Sequence, residues 1–316
     1  MTEPRQIILD CDPGHDDAVA IMLAVGNPAI DVLGITTVAG NQTLEKVTRN
    51  ARSVLVMCGR QDVPVYAGAA RPLVRPVHVA AAIHGDSGLD GVDLPEPTRA
   101  LQPDHAVDFI IEEVMSNPPG TITLVGIGPL TNLALAARLR PEIVSRVREV
   151  VIMGGGYSKG NQTAMAEFNI WVDPEAAHVV FDESWPVTMV GLELTHQALA
   201  TAQAEQRVRQ IGSDLSGFFG GMMGFFRSAY ARSQGFDDPP VHDPCTIAYL
   251  IDPAIVQTRR APVSVELRGE HTTGMTVADF RADPGPDCRT QVATRLDHGA
   301  FWDLVVQAIE TLSSER

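Results

Sequence analysis

The chain is poor in aromatic residues, 5% of 316, has only four cysteines, and carries no excess of positive charge. Cys11, Cys58, Cys245 and Cys288 are scattered, form no CxxC pair and fall far below the density of a disulfide-built secreted domain. They read as reduced thiols, mostly buried. The 24 Lys and Arg against 39 Asp and Glu leave a net charge of −15, which repels phosphate backbones and anionic lipid and argues against nucleic-acid or membrane partners. No apolar run reaches the roughly 18 residues of a membrane span, and MTEPRQIILD passes from a polar start into a strand-like segment with no signal-peptide core. The expectation is a cytoplasmic protein. Neither GxxxxGK[ST] nor GxGxxG occurs, so the glycines after Met153 read as a tight turn rather than a phosphate loop.

What is present is 45% hydrophobic content, enough for a large core, distributed as alternating strand-like and helix-like segments. Strands are expected at 6–9, 31–38, 121–125, 149–153 and 187–190, with helices at 18–25, 43–58, 106–115, 130–139 and 174–181. After Thr195 the pattern turns more helical, at 203–211, 217–233 and 245–251, before strand-like segments at 263–267 and 291–296. Strands alternating with crossover helices predict an α/β fold: a single domain, 1–316, with a mainly parallel central sheet flanked by helices and an active site at the C-terminal ends of the strands. Segments 71–103 and 234–241 have little periodicity and read as long, mobile active-site loops.

The densest chemistry lies in IILDCDPGHDDA, residues 7–18, where Asp10, Asp12, Asp16 and Asp17 put four carboxylates in eight residues between a strand end and a helix start. They repel one another unless something neutralises them. Asp16 and Asp17 as helix caps with Asp12-Pro13 as a turn is one reading; a hard cation such as Ca²⁺ or Mg²⁺ held by oxygen ligands is the other. An EF-hand is excluded, because Ile21 stands where its bidentate Glu would be required. His242-Asp243-Pro244 admits a simple helix cap, Asn41 is either a cap or a ligand contact, and Glu167 with Asn169 suits a polyol if that segment is extended.

In register, these pieces resemble the inosine-uridine preferring nucleoside hydrolases, calcium-dependent ribonucleoside hydrolases. DxDPGxDDAxAI is the hallmark, here Asp10 to Ile21, and ITTVAGNQT (35–43), IHGDSG (83–88), GPLTN (128–132), VIMGGGY (151–157), AEFNIWVDPEAA (166–177), MVGLELTH (189–196) and VHDP (241–244) follow in the family's order. The resemblance covers nearly the whole chain. It implies hydrolysis of the N-glycosidic bond of ribonucleosides to ribose and free base, with Ca²⁺ held by Asp12, Asp17, Asp243 and the main-chain carbonyl of Ile127. Asp12 would be the base that takes the proton of the attacking water, and His242 the general acid for the leaving base. Asp16, Asn41, Met153, Asn161, Glu167 and Asn169 would contact the sugar side, and His84, Phe168 and Tyr230 the base. His15, inside the signature, reads as a spacer. The resemblance also implies a homodimer or homotetramer. A pyrimidine-specific enzyme of the same family is the alternative; a phosphatase using the strand-end DxD and a nucleoside-binding protein without turnover stand further off.

Overall fold

The computed structural model describes residues 3–314. Its strands are β1 (Arg5–Cys11), β2 (Ile30–Thr37), β3 (Val65–Ala67), β4 (Thr123–Gly126), β5 (Glu149–Met153), β6 (Val187–Val190), β7 (Val256–Arg260), β8 (Val263–Val265), β9 (Thr276–Ala278) and β10 (Thr290–Leu296). The helices are α1 (His15–Gly26), α2 (Leu44–Cys58), α3 (Ala81–His84), α4 (Ala106–Ser116), α5 (Thr131–Leu139), α6 (Phe168–Val172), α7 (Pro174–Asp182), α8 (Leu192–Thr195), α9 (Ala202–Arg209), α10 (Asp214–Ser233), α11 (Pro244–Ile251) and α12 (His298–Ser314). Eight strands form one sheet in the order β3-β2-β1-β4-β5-β6-β10-β7, parallel throughout except for β7, which runs antiparallel to β10 at the edge. The other two pair as a small antiparallel ribbon.

Alternation along β1 sends Ile7 and Leu9 to one face of the sheet and Ile8 to the other, so the strand feeds two separate cores. The first core gathers α1, α2, α10, α11 and α12; the second gathers α4, α5 and α7. Helix α1 packs against α2, α11 and α12, and every one of its residues is buried. Its run from Ala18 to Val25 is apolar all round, as a helix enclosed by neighbours must be.

The strand order reverses direction between β1 and β4: the chain leaves β1 towards β2 on one side and returns to β4 on the other. Such a switch point opens a crevice beyond the carboxyl ends of the two strands. Here that crevice receives Asp12, one residue past β1, and Ile127, one residue past β4.

Some expectations need correcting. Glu167 to Asn169 is not extended: Glu167 caps α6 and Asn169 lies inside it. The loop 71–103 holds the single turn α3. Strand β7 was not anticipated, because four of its five residues are exposed and it lacks an apolar face. Helix α12 was missed although Phe301, Trp302, Val305, Val306, Ile309 and Leu312 carry helical spacing and are all buried.

Candidate active site

At the crevice the acidic signature folds into a cup. Gly14 caps α1, and Asp17 in its first turn accepts from two main-chain donors: Gly14 N–H at 2.9 Å to Oδ2 and Asp12 N–H at 3.1 Å to Oδ1. Asp17 is thus a helix cap and a member of the cluster at once. Asn41 is not a cap, since Thr43 takes that place in α2. Its main-chain N–H donates to Asp12 Oδ2 at 2.6 Å and its side-chain amide to Asp17 Oδ2 at 3.0 Å, tying the end of β2 to the acids. Asp243 occupies the cap position of α11 yet makes no cap hydrogen bond; its carboxyl lies beside that of Asp17 instead. Asp16 Oδ2 accepts the main-chain N–H of His242 at 3.3 Å.

Ligand oxygens of Asp16, Asp17 and Asp243 all lie within 4.8 Å of one another, and Asp12 Oδ1 is buried with no hydrogen-bond partner. Glycine is needed around it: a Cβ on Gly40 would sit 2.1 Å from Asp12 Oδ2, and one on Gly128 2.5 Å from Oδ1. Among the described residues, no Lys or Arg forms an ion pair with these acids; every ion pair lies elsewhere. Burial, reinforced by the neighbouring carboxylates, raises Asp16 to about 8 and carries Asp12 and Asp243 well above the usual range. Asp17 is raised by burial against hydrogen bonds that favour its anion. Such a cluster calls for protons or for a cation, and the donor set, all oxygen, suits a hard divalent ion.

Above the acids is a cavity lined by Asp16, Asn41, His84, Ile127, Met153, Asn161, Glu167, Phe168, Asn169, Tyr230, His242 and Asp243. The structure therefore brings together the substrate and metal candidates that the resemblance implied, with Asp12 and Asp17 buried and hydrogen-bonded to Asn41 of the lining. Glu167 spends both carboxylate oxygens on main-chain donors, Asn169 N–H to Oε1 and Gly155 and Ile170 N–H to Oε2, and burial raises it to about 7. Asn169 donates from its side chain to the carbonyls of Ile127 at 3.0 Å and Met153 at 3.2 Å. Each carbonyl oxygen keeps a second lone pair. Asn161 Oδ1 accepts Phe168 N–H at 2.9 Å, which fixes its amide beside the start of α6.

His242 lies between two hydroxyls, Thr195 Oγ1 at 2.7 Å from Nδ1 and Tyr230 Oη at 2.8 Å from Nε2. Burial, helped by His196 and Lys159, pushes its pKa well below the ordinary histidine range. Thr195 was missed by sequence reasoning, although it stands in the quoted MVGLELTH segment. Asp10 stands apart from the cavity: Thr36 and Asn132 donate to its Oδ1 at 2.6 and 2.7 Å, joining β1 to β2 and α5. Ala80, Ile83, Gln162 and Gln234 also line the cavity and were not singled out. His15 is more than a spacer, being buried and hydrogen-bonded to the 81–90 segment.

Comparison with known proteins decides what this cavity belongs to. The sequence profile described as inosine-uridine preferring nucleoside hydrolase matches residues 7–303. This chain belongs to that family. It is 55% identical over 310 residues to the inosine-uridine preferring nucleoside hydrolase of Leishmania major, covering 98% of each chain. It is 44% identical to a pyrimidine-specific ribonucleoside hydrolase of Shewanella woodyi, covering 98% of this chain and 99% of that one. Among solved structures, the purine-preferring ribonucleoside hydrolase of Gardnerella vaginalis superposes with a TM-score of 0.93 at 33% identity, over 99% of this nucleoside hydrolase chain and 100% of the other. Membership makes the chain an enzyme that hydrolyses ribonucleosides at the N-glycosidic bond and separates it from the phosphatase reading. Among the described residues no helix is long and apolar enough to cross a membrane.

Proposed function

We propose that the chain converts inosine, uridine and related ribonucleosides to ribose and free base, with Asp12 as general base and His242 as general acid. The observation that carries this reading is the buried, unpartnered Asp12 Oδ1 within a carboxylate cup, joined through Asn41 to a cavity lined by polar Asn161, Glu167 and Asn169 and aromatic Phe168 and Tyr230. Asp12, Asp17, Asp243 and the Ile127 carbonyl would hold a Ca²⁺ ion, as the all-oxygen donor set favours. Bound calcium supplies positive charge that keeps these acids ionised and acidifies water beside them.

Asp12 Oδ1 then accepts the proton of the water that attacks the anomeric carbon. As the glycosidic bond breaks, the sugar gains oxocarbenium character, which the surrounding carboxylates favour. Asp16, Asn161, Glu167 and Asn169, with Asn41 and the Met153 edge, grip the ribose hydroxyls. Binding energy remote from the reacting bond is thereby available to distort the sugar. Phe168 and Tyr230 pack on the base, His84 approaches from the loop above, and His242, whose imidazolium burial makes a strong acid, donates that proton to the departing base. The 71–103 and 234–241 segments, which contribute His84 and Gln234, open to admit substrate. The resemblance also supports a cytoplasmic dimer or tetramer in purine and pyrimidine salvage; sedimentation velocity reads the assembly state.

A second reading, pyrimidine specificity, is favoured by the Shewanella woodyi relative. Hydrolysis of inosine, uridine, cytidine, adenosine and guanosine, each with and without chelator, tests both. Chelator-sensitive release of base from purine and pyrimidine substrates is the expected result; release from pyrimidines alone would select the second reading. Binding without release from any of them would remove the catalytic roles.

A further inference from the structure

We propose that His15 is a positioning residue for substrate binding: it anchors the 81–90 segment at the mouth of the cavity and holds His84 in place. The inference rests on the reading of His84 as a ribonucleoside contact. His15 opens α1 and is fully buried, and it does not line the cavity. Whatever it does to substrate, it does through another residue.

Three contacts lead from it to the loop. Its main-chain N–H points at His84 Nδ1 at 3.2 Å, its ring Nδ1 lies 3.1 Å from the same atom, and its Nε2 lies 2.9 Å from the Asp90 carbonyl. A carbonyl oxygen only accepts, so Nε2 of His15 carries its one ring hydrogen and donates it; with the main-chain N–H donating to His84 Nδ1, no hydrogen lies between the two Nδ1 atoms and that contact is packing alone. Stacking fixes the ring plane, with Phe226 and Phe225 of α10 nearly parallel at centroid distances of 5.1 and 5.4 Å. Hydrogen bonds at the ring edge and aromatic faces on its plane leave the imidazole one orientation.

The turn it grips is itself preorganised. Asp90 accepts the main-chain N–H groups of Asp86 and Ser87 and the Ser87 hydroxyl, and donates its own N–H to the His84 carbonyl. A single bond to the Asp90 carbonyl therefore fixes a whole turn rather than one residue. Gly14 permits the approach, because a Cβ there would meet His84 Nδ1 at 2.4 Å. With His84 Nδ1 engaged by His15, no hydrogen bond among the described residues takes His84 Nε2, and His84 lines the cavity. The free nitrogen is the one available to substrate.

The test is a kinetic cycle on inosine and uridine with His15→Leu, His15→Gln, His84→Ala and the His15→Leu/His84→Ala pair. Leucine fills the space between the phenylalanines but donates nothing; glutamine carries an Nε2 donor of similar reach. His15→Leu is expected to raise KM about tenfold, the order of one lost hydrogen bond, with kcat little changed. His15→Gln should recover most of that loss, and the double variant should be no worse than His84→Ala. Unchanged KM in His15→Leu beside a raised KM in His84→Ala would overturn the role of His15 and leave the site reading intact. Unchanged KM in His84→Ala would remove the site reading and the proposal with it. Losses that add in the double variant, or a glutamine variant as poor as leucine, would also overturn it. Should His15→Leu fail to fold by circular dichroism, the cycle is run with His15→Gln and His15→Asn, and equal KM in those two overturns the Asp90 anchor.

Discussion

Strip divalent cations from this protein and its stability should fall as pH rises, the reverse of the usual behaviour of acidic groups. Glu167 and Asp10 are each held at about 7, against 4.5 and 3.8 for the free side chains, because burial penalises their anions. Asp16 stands at about 8 for the same reason, with Asp17 adding repulsion. A carboxyl whose folded pKa lies above its unfolded value contributes fully below the unfolded pKa and loses that contribution as pH rises through the folded one. The window here runs from about pH 4 to pH 8. At about 1.4 kcal/mol per pH unit, Glu167 and Asp10 alone withdraw roughly 3–5 kcal/mol each across it. A divalent cation held by Asp12, Asp17 and Asp243 removes the like-charge repulsion in the cup, and at a thousandfold excess over its Kd it adds roughly 4 kcal/mol. For a chain this long that corresponds to roughly 6 °C in Tm. The assay is differential scanning calorimetry at pH 5, 6, 7 and 8, in chelator and in millimolar calcium. The calcium increment should grow with pH, because at pH 5 the ion must displace protons from the cup. An increment equal at pH 5 and pH 8 would refute the assignment of the acids as a cation site, and a chelated Tm that stays flat or climbs would refute the raised pKa values of the buried carboxyls.

Three further outcomes follow from the same geometry. Asp12→Asn keeps an acceptor for the Asn41 N–H but cannot take a proton, so kcat should fall by about 10²–10⁴ with unchanged circular dichroism; a near-normal rate would remove Asp12 as the base. His242→Ala should slow inosine far more than p-nitrophenyl riboside, whose leaving group needs no proton, and equal losses on both would show that His242 is not the acid. Gly40→Ala places a methyl group 2.1 Å from Asp12 Oδ2 and should abolish turnover and calcium stabilisation together, read by initial rates and Tm in one preparation.

Much of the fold was legible because its signals are local. Strands β5 and β6 and most helices could be placed from periodicity and Gly/Pro punctuation, since burial on both sheet faces demands continuous apolar runs. Where the environment is not local the reading failed. The extended segment on which the reading of Glu167 with Asn169 was conditioned ends at Glu167, whose carboxylate caps α6, and exposed β7 carries no apolar face to betray it. The acids of residues 10–17 were visible as a cluster needing a counter-charge, and the family motifs supplied the remaining site residues. Only the switch between β1 and β4 explains why Asn41, Ile127, Glu167 and His242, far apart in the chain, meet over that cluster.

Sequence alone determined the alternation of strand and helix, the presence of an acidic loop at a strand end, and the family. The tertiary structure decided what each group's chemistry can be. It buried Asp12 Oδ1 without a partner, turned Asp243 from a helix cap into a member of the acid cluster, and set His242 between Thr195 and Tyr230. It also made His15 a tie to the loop over the site. A pKa, a hydrogen-bond partner or a free donor depends on which distant groups arrive within a few ångströms, and that is settled by the packing of the two cores on the sheet.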